Sequence, residues 1–256
     1  GGVHGSDAAE TVTAFADRLE GLVVTSLSGK GSVPETRDYA AGVLNPLGSW
    51  AAIELIQEAD LVIWCGSKVS QNTGMNWTLP TPSQATITID CDPLEHGRTF
   101  RPTVPLLGDV REIVTALSDA LGDQPARLAW AARIAEVKAE GERRKAEEIA
   151  ADTTPIQPPR IMAEIAQRLG AEDIVVSDAS FSAGWISGYI PALRPGRQFL
   201  FARGQGGLGY SVPGAIGAAA TRPGTRIVTV AGDGAFSYTV GELATQAQFN
   251  QRVVNV

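Results

Sequence analysis

The chain has 256 residues, of which 44% are hydrophobic and 19% charged, and its formal net charge is −7. This composition supports one large or two ordinary domains and excludes a disordered chain, and the negative charge disfavours a general role on nucleic acids or anionic membranes. No run is apolar enough to span a bilayer and no signal peptide is visible, so we expect a cytoplasmic protein.

The first half of the chain alternates helical and strand patterns. Amphipathic periodicity predicts helices, and short apolar runs bounded by turn residues predict strands. In chain order we expect a helix over 8–19, a strand over 22–25, a helix over 51–58, strands over 61–65, 86–90 and 104–107, and a helix over 110–121. Strands that alternate with helices favour a mostly parallel sheet with both faces covered.

Residues 122–158 differ in character, because positions 133–150 are rich in Ala, Glu, Lys and Arg, and prolines follow. This favours a solvated helix between two domains. A second series then predicts helices over 160–169, 182–189, 212–220 and 242–249 and strands over 173–177, 198–202, 226–231 and 252–256. The sequence thus predicts an α/β fold with two doubly wound, mostly parallel open sheets, joined by a helical linker over 122–158.

The most informative segment is Gly232-Asp233-Gly234, directly after the predicted strand 226–231. A carboxylate between two glycines can face a charged ligand with little side-chain bulk nearby. A helix start after the turn offers free N–H groups to an anion. Mg²⁺ is usually held by one or two carboxylates and by phosphate oxygens, so this segment predicts a site for a metal ion and a diphosphate.

Two further loops end at the same predicted sheet edge. Asp178, Ser180 and Ser182 follow strand 173–177, and the two hydroxyls can either bond phosphate oxygens or act as plain helix N-caps. Gly206 lies in the glycine-rich loop after the next strand. Because ligands of open α/β sheets bind at the carboxyl ends of strands, the three loops predict one shared phosphate and metal site.

The glycines at 204, 206 and 209 allow a second interpretation. A G-x-G-x-x-G pattern between a strand and a helix is typical of a dinucleotide-binding turn, and Asp233 could then bind a ribose. A ribose-binding acid needs no glycine on each side, and Tyr210 and Pro213 fit poorly where the helix must pack under a pyrophosphate. Two alternatives therefore stay open. The chain could be an NAD-binding oxidoreductase, or these glycines could serve only close packing of strand and helix.

Three segments, 206–217, 230–236 and 242–245, resemble the pyrophosphate-binding domain of thiamine-diphosphate enzymes. The similar group contains acetohydroxyacid synthase, benzoylformate decarboxylase and benzaldehyde lyase. Segments 25–34, 59–66, 89–97 and 108–109 resemble the central domain of that group. The resemblance covers nearly the whole chain and implies a central domain over 1–121, the linker over 122–158, and a pyrophosphate-binding domain over 159–256.

The resemblance also implies roles for single residues. Asp233 is the implied Mg²⁺ ligand, the carbonyl of Gly206 would accept from the cofactor's 4′-amino group, and Leu208 would hold the cofactor in a bent V conformation. Tyr238 is either a cofactor or substrate contact or an ordinary packed tyrosine. The implied contacts to thiamine diphosphate are Ser180, Phe181, Ser182, Gly206, Gly207, Leu208, Gly232, Asp233, Gly234, Ala235 and Phe236.

The implied enzyme makes or breaks a C–C bond next to the carbonyl of a 2-keto acid or ketone. Acetolactate-type carboligation is our first expectation, with simple decarboxylation or an aldehyde lyase as alternatives. A non-catalytic relative that keeps the fold as a regulatory or assembly module also stays open.

The resemblance implies a homodimer or homotetramer whose active site needs an N-terminal pyrimidine-binding domain from another subunit. That domain, the first strand of the central domain and an asparagine metal ligand after strand 252–256 lie outside this chain, so we expect a fragment that is inactive alone. Residues 66–74 lack the acidic and arginine residues that synthase relatives carry near FAD, which argues against FAD.

Overall fold

The computed structural model describes residues 1–124 and 127–256, and its strands form three sheets in which every pair is parallel. The predicted α/β class with parallel sheets is therefore confirmed. Pro125 and Ala126, which belong to the predicted linker over 122–158, lie outside the described residues.

The first half of the chain contains two of the sheets. Its elements are α1 (Gly2–Gly5), α2 (Ala9–Leu19), β1 (Val23–Thr25), a 3₁₀ turn (Leu27–Gly29), β2 (Ala40–Val43), α3 (Trp50–Glu58), β3 (Leu61–Cys65), β4 (Ala85–Asp90), β5 (Val104–Leu107) and α4 (Val110–Ala120). Helix α4 begins where Asp109 accepts hydrogen bonds from two first-turn N–H groups, a standard N-cap. Most of these bounds agree with the sequence prediction within two residues, whereas β2 was not predicted.

The single open sheet expected in this half is divided. Strands β1 and β2 pair with each other, and β3, β4 and β5 form a separate sheet in that order. Among the described residues, no strand of one sheet pairs with a strand of the other. Side chains connect the two sheets instead: Val24 and Leu44 pack in one cluster with Val62 and Trp64. Burial of apolar surface thus joins the two sheets across their unpaired edges.

Helix α5 (Leu128–Ala150) connects the halves of the chain and begins five residues earlier than predicted. It buries Ile134 and Val137 against the cluster under α3, while most of its charged side chains face solvent. At 1.5 Å per residue its 23 residues span about 34 Å. Within the described ranges, no helix has the length and apolar character that crossing a membrane requires.

The second half forms one four-stranded sheet in the order β7-β6-β8-β9. Every residue of β6 and β8 is buried, as expected for central strands of a covered parallel sheet. The elements are α6 (Pro158–Ala166), β6 (Ile174–Ser177), α7 (Phe181–Tyr189), β7 (Phe199–Phe201), α8 (Ser211–Thr221), β8 (Ile227–Val230), α9 (Asp233–Tyr238), α10 (Glu242–Gln248) and β9 (Val253–Asn255).

A buried ion pair lies where the two halves meet. The side chain of Lys30 is fully buried, and its Nζ lies 2.5 Å from Oε1 of Glu35. The same ammonium lies 5.0 Å from the centre of the Phe199 ring, on the other half of the chain. Burial lowers the pKa of Lys30, and the charge of Glu35 acts in the opposite direction. The ammonium therefore depends on one carboxylate for its charge compensation.

Backbone hydrogen bonds surround this pair and join the halves directly. The N–H of Gly196 donates to the carbonyl of Gly31 at 2.8 Å, and the N–H of Glu35 donates to the carbonyl of Ala192 at 2.8 Å. A Cβ on Gly31 would lie 2.6 Å from the carbonyl oxygen of Gly196. Glycine at position 31 thus permits the close backbone approach that encloses Lys30.

Substitution Glu35→Gln should lower the free energy of unfolding by about 3–5 kcal/mol, because it leaves the Lys30 ammonium buried without a carboxylate. Urea unfolding followed by circular dichroism measures this change. The matched control is Glu164→Gln, which removes an exposed ion pair to Arg168 and should cost less than about 1 kcal/mol. Equal losses in the two variants would show that the Lys30–Glu35 pair contributes no more than a surface pair.

Candidate functional site

The strand order of the second sheet places a crevice between the carboxyl ends of β6 and β8. From β6 the chain crosses to β7 on one side, and it returns to β8 on the opposite side of β6. Where connections leave neighbouring parallel strands in opposite directions, a crevice opens above the strand ends, and ligands of α/β sheets bind there. The loops 178–180 and 231–232 flank this crevice and lead into the predicted site residues.

Asp178, directly after β6, is fully buried, and its carboxylate binds backbone groups of its own loop and of the loop after β7. One oxygen accepts hydrogen bonds from the N–H groups of Ala179 at 2.8 Å and Gly209 at 3.1 Å. The other accepts from the N–H of Ser211 at 2.9 Å. Such donors compensate the cost of burying a charge. Asp178 lies at the end of its strand as predicted, and backbone groups of its own fold occupy both carboxylate oxygens.

The loop after β7 is also tied to the end of α9. The hydroxyl of Thr239 donates to the carbonyl of Gly209 at 3.0 Å. Gly209 has a φ of +86°, and a Cβ there would lie 2.9 Å from Thr239 Cγ2 and 3.0 Å from Tyr238 Cβ. Only glycine fits this contact. Sequence reasoning missed Thr239, because its partner lies 30 residues away and no local pattern marks it.

Four other glycines of the predicted site have open space around them. A Cβ added to Gly206, Gly207, Gly232 or Gly234 would meet no atom within 4 Å. All four are exposed, so packing within this chain does not explain their small size. Absent side chains leave the backbone accessible at this sheet edge, as a closely held ligand requires.

Asp233 is the first residue of α9, and its carboxylate is exposed. The sequence predicts a turn here and a helix only from Glu242, whereas the structure forms a six-residue helix first. The N–H groups of Gly234 and Ala235 lie in its first turn, where a helix has no intrahelical acceptor for them. In the part of the chain that the structure describes, no three His, Cys, Asp or Glu side chains cluster as a metal site.

The two serines of the β6–α7 loop differ in their surroundings. Ser180 is exposed and precedes α7, yet its side chain makes no capping hydrogen bond. Its φ of +74° with ψ of −145° is a conformation that L-residues rarely adopt. Ser182 lies inside α7 and donates to the carbonyls of Asp178 and Ala179. Ser180 thus holds the N-cap position without a side-chain capping bond, Ser182 is no N-cap, and of the two only Ser180 is exposed.

Apolar side chains surround the same crevice. Phe181 is 64% exposed, Leu208 47% and Tyr238 71%, whereas Phe236 is half-buried and Ala235 is buried. Single exposed apolar residues are common, but a group of them beside one crevice is typical of a surface that contacts a ligand or another domain. The packed-tyrosine alternative for Tyr238 is therefore wrong within this chain.

The strand order disfavours the NAD-binding interpretation. In a dinucleotide fingerprint, the glycine-rich turn and the ribose-binding acid follow adjacent strands. Here the glycine-rich loop follows β7 and Asp233 follows β8, and β6 lies between these strands. Strands two positions apart are separated by about 10 Å. Gly209, the third glycine of the pattern, packs against Thr239 instead of against a strand.

A cavity of about 20 Å³ lies at the carboxyl edge of strands β3 and β4 in the first half of the chain. The chain's own side chains occupy this edge, since Trp64 and Phe100 pack with their ring centres 6.1 Å apart. Nζ of Lys68 lies 2.8 Å from Oε1 of Glu95, which also lines the cavity. The described side chains thus leave little enclosed volume for a large ligand here.

Comparisons with known proteins match the two halves of the chain to two domains of one family. Residues 1–117 match the family "Thiamine pyrophosphate enzyme, central domain", and residues 178–256 match "Thiamine pyrophosphate enzyme, C-terminal TPP binding domain". These matches confirm the resemblance that the sequence segments indicated.

Similar curated proteins include synthases and a decarboxylase. The chain is 30% identical to a probable acetolactate synthase large subunit of Methanocaldococcus jannaschii, over 99% of this chain and 44% of the relative. It is 29% identical to the acetolactate synthase large subunit of Corynebacterium glutamicum, over 96% and 40%. It is 34% identical to a probable 2-ketoarginine decarboxylase of Pseudomonas aeruginosa, over 94% and 42%. The chain thus spans less than half the length of these relatives.

Substitution Ser180→Gly should raise the free energy of unfolding by about 1 kcal/mol. Relief of the positive-φ strain is worth about 1–3 kcal/mol, and the larger backbone entropy of glycine in the unfolded chain offsets part of it. Urea unfolding measures the change, with Ser180→Ala as the control that removes the hydroxyl and keeps Cβ. A gain in Ser180→Ala as large as that in Ser180→Gly would show that the hydroxyl, rather than the backbone conformation, is unfavourable.

Proposed function

This chain belongs to the family of thiamine pyrophosphate enzymes, and on that basis we propose that it forms the central and cofactor-binding domains of an enzyme dependent on thiamine diphosphate and Mg²⁺. The observation that carries the proposal is the carboxyl edge of the second sheet, where unobstructed glycines and the exposed Asp233 follow the strands.

The residues of the crevice fit such a cofactor in space and in chemistry. The unobstructed glycines after β7 and β8 leave room for a ligand at two of the three loops. Asp233 offers a hard oxygen ligand of the kind that Mg²⁺ takes, and the N–H groups of Gly234 and Ala235 are donors suited to phosphate oxygens. Ser180 adds an accessible hydroxyl on the opposite loop.

We assign the predicted roles to this chain's residues on the same basis. Asp233 would hold the metal, and the loops with Ser180 and Gly234 would hold the diphosphate. The carbonyl of Gly206 would accept a hydrogen bond from the cofactor's 4′-amino group, and the exposed side chain of Leu208 would support its bent conformation. The remaining predicted contacts are Phe181, Ser182, Gly207, Gly232, Ala235 and Phe236.

When bound, thiamine diphosphate supplies carbanion chemistry at a carbonyl carbon, which this chain's own side chains do not provide. The protein's contribution is to fix the cofactor and to exclude water. Phe181, Leu208 and Tyr238 leave apolar surface open at the crevice, and we propose that another domain of a homodimer or homotetramer covers it. The chain by itself would then be inactive.

We propose that the full-length protein ligates 2-keto acids in the manner of an acetolactate synthase. Similarity to acetolactate synthase large subunits over nearly the whole chain supports this choice. Decarboxylation of a 2-keto acid without ligation is the second candidate, which the similarity to a probable 2-ketoarginine decarboxylase favours.

We further propose that the first domain holds no FAD. The lack of acidic and arginine residues over 66–74 supports this inference. A purified full-length protein with flavin absorbance near 450 nm would contradict it.

Thiamine diphosphate with Mg²⁺ should stabilise the full-length protein against heat, because a ligand at about 100 times its dissociation constant adds about 2.7 kcal/mol to the unfolding free energy. Asp233→Asn should abolish this stabilisation, since it removes the carboxylate that would hold the ion. Differential scanning fluorimetry measures both effects.

The matched control is Asp119→Asn, an exposed carboxylate on α4 in the other domain, which should respond as the unsubstituted protein does. Stabilisation by NAD, and none by thiamine diphosphate with Mg²⁺, would exclude the proposed function and favour the oxidoreductase.

The full-length protein, supplied with pyruvate, thiamine diphosphate and Mg²⁺, should form acetolactate and CO₂. Acid conversion of acetolactate to acetoin allows colorimetric detection, and Asp233→Asn should lower the rate at least about a hundredfold. Release of aldehyde and CO₂ from 2-keto acids without a ligated product would select the decarboxylase instead. Cofactor binding without turnover of any 2-keto acid would indicate a non-catalytic relative.

A further inference from the structure

Gly209 connects its own loop to the start of the β6–α7 loop and to the C-terminal end of α9. It lies in the loop after β7, and its N–H donates to Asp178 after β6 at 3.1 Å. Its carbonyl accepts from the hydroxyl of Thr239, which follows α9 and therefore β8, at 3.0 Å. The N–H and the carbonyl of Gly209 thus bind the β6–α7 loop on one side and the C-terminal end of α9 on the other.

Close packing strengthens the connection to α9. A Cβ at position 209 would come within 3.0 Å of Tyr238 Cβ and 2.9 Å of Thr239 Cγ2, closer than real Cβ atoms pack. The backbone of Gly209 therefore sits directly on the end of α9. Helix α9 runs over six residues from Asp233 to Tyr238, so only this short helix, about 9 Å long, separates Thr239 from Asp233.

The segment just before Gly209 has no comparable support. A Cβ added to Gly206 or Gly207 would meet no atom within 4 Å, and Leu208 is 47% exposed. The place of these residues relative to Asp233 is therefore determined largely at Gly209, by Asp178 on one side and Thr239 on the other.

We propose that Thr239 is a positioning residue that sets the separation between the segment 206–208 and Asp233. This inference rests on the proposed function, in which segment 206–208 contacts the pyrimidine half of thiamine diphosphate and Asp233 holds the metal on the diphosphate half. One ligand spans both parts, so a change in their separation weakens binding of the whole cofactor. A ligand that engages only the diphosphate half does not sense that separation.

The test compares Thr239→Val, which keeps the shape and removes the hydroxyl donor, with Thr239→Ser, which keeps the donor. Calorimetric titration of the full-length protein, with saturating Mg²⁺, gives the dissociation constants of thiamine diphosphate and of inorganic pyrophosphate. We expect Thr239→Val to weaken thiamine diphosphate binding about five- to tenfold, the usual effect of one hydrogen bond. Pyrophosphate binding should stay within about twofold, and Thr239→Ser should bind both ligands as the unsubstituted protein does.

Hydrogen exchange of the cofactor-free protein provides a readout without any ligand. Amides of residues 204–211 should exchange faster in Thr239→Val than in Thr239→Ser, because the segment loses one of its three hydrogen bonds to Asp178 and Thr239. Unchanged exchange there would overturn the inference. Equal affinities for thiamine diphosphate in all three proteins, or equal weakening of both ligands, would also overturn it and leave the proposed function intact. An unsubstituted protein that binds no thiamine diphosphate would overturn both.

Discussion

The crevice of the second domain depends on the buried carboxylate of Asp178. Three backbone N–H groups from two separate segments converge on its two oxygens. A buried carboxylate without such donors would be strongly unfavourable, so the loop after β7 can be placed in only a narrow range of positions relative to β6. The loops that carry the proposed cofactor contacts take their places from this constraint.

The glycines of this edge serve two opposite purposes. Gly209 is enclosed by the end of α9, and a side chain there would displace its neighbours. Gly206 and Gly232 are open, and a Cβ at either position would meet no atom of the chain within 4 Å. The same residue type therefore holds the loops together in one place and keeps the crevice free in another. Ser180, with its positive φ beside the crevice, is a strained residue of the kind that often occurs at functional sites.

The first domain contributes to this arrangement by holding α7, the helix that begins beside the crevice. A Cβ on Gly184 would lie 2.7 Å from Leu47 Cδ1, and one on Gly188 would lie 3.2 Å from the carbonyl oxygen of Leu47. The carbonyl of Ser187, on the same helix, lies 3.5 Å from Nζ of the buried Lys30. Contacts made far from the crevice thus fix the helix that starts at Phe181.

The sequence by itself determined the α/β class, most strand positions and the loops that hold the proposed site, because these follow from local periodicity and from residues adjacent in the chain. Buried runs such as 174–177 and 227–230 need no distant partner to be recognised. Strand β2 was not predicted, because its alanines and Gly42 have no β preference of their own. This strand forms by pairing with β1. Only the tertiary structure decided that the carboxylate of Asp178 accepts from the N–H of Gly209 and that the hydroxyl of Thr239 donates to the carbonyl of Gly209. Those partners lie 31 and 30 residues apart, and a hydrogen bond between distant segments leaves no local pattern in the sequence.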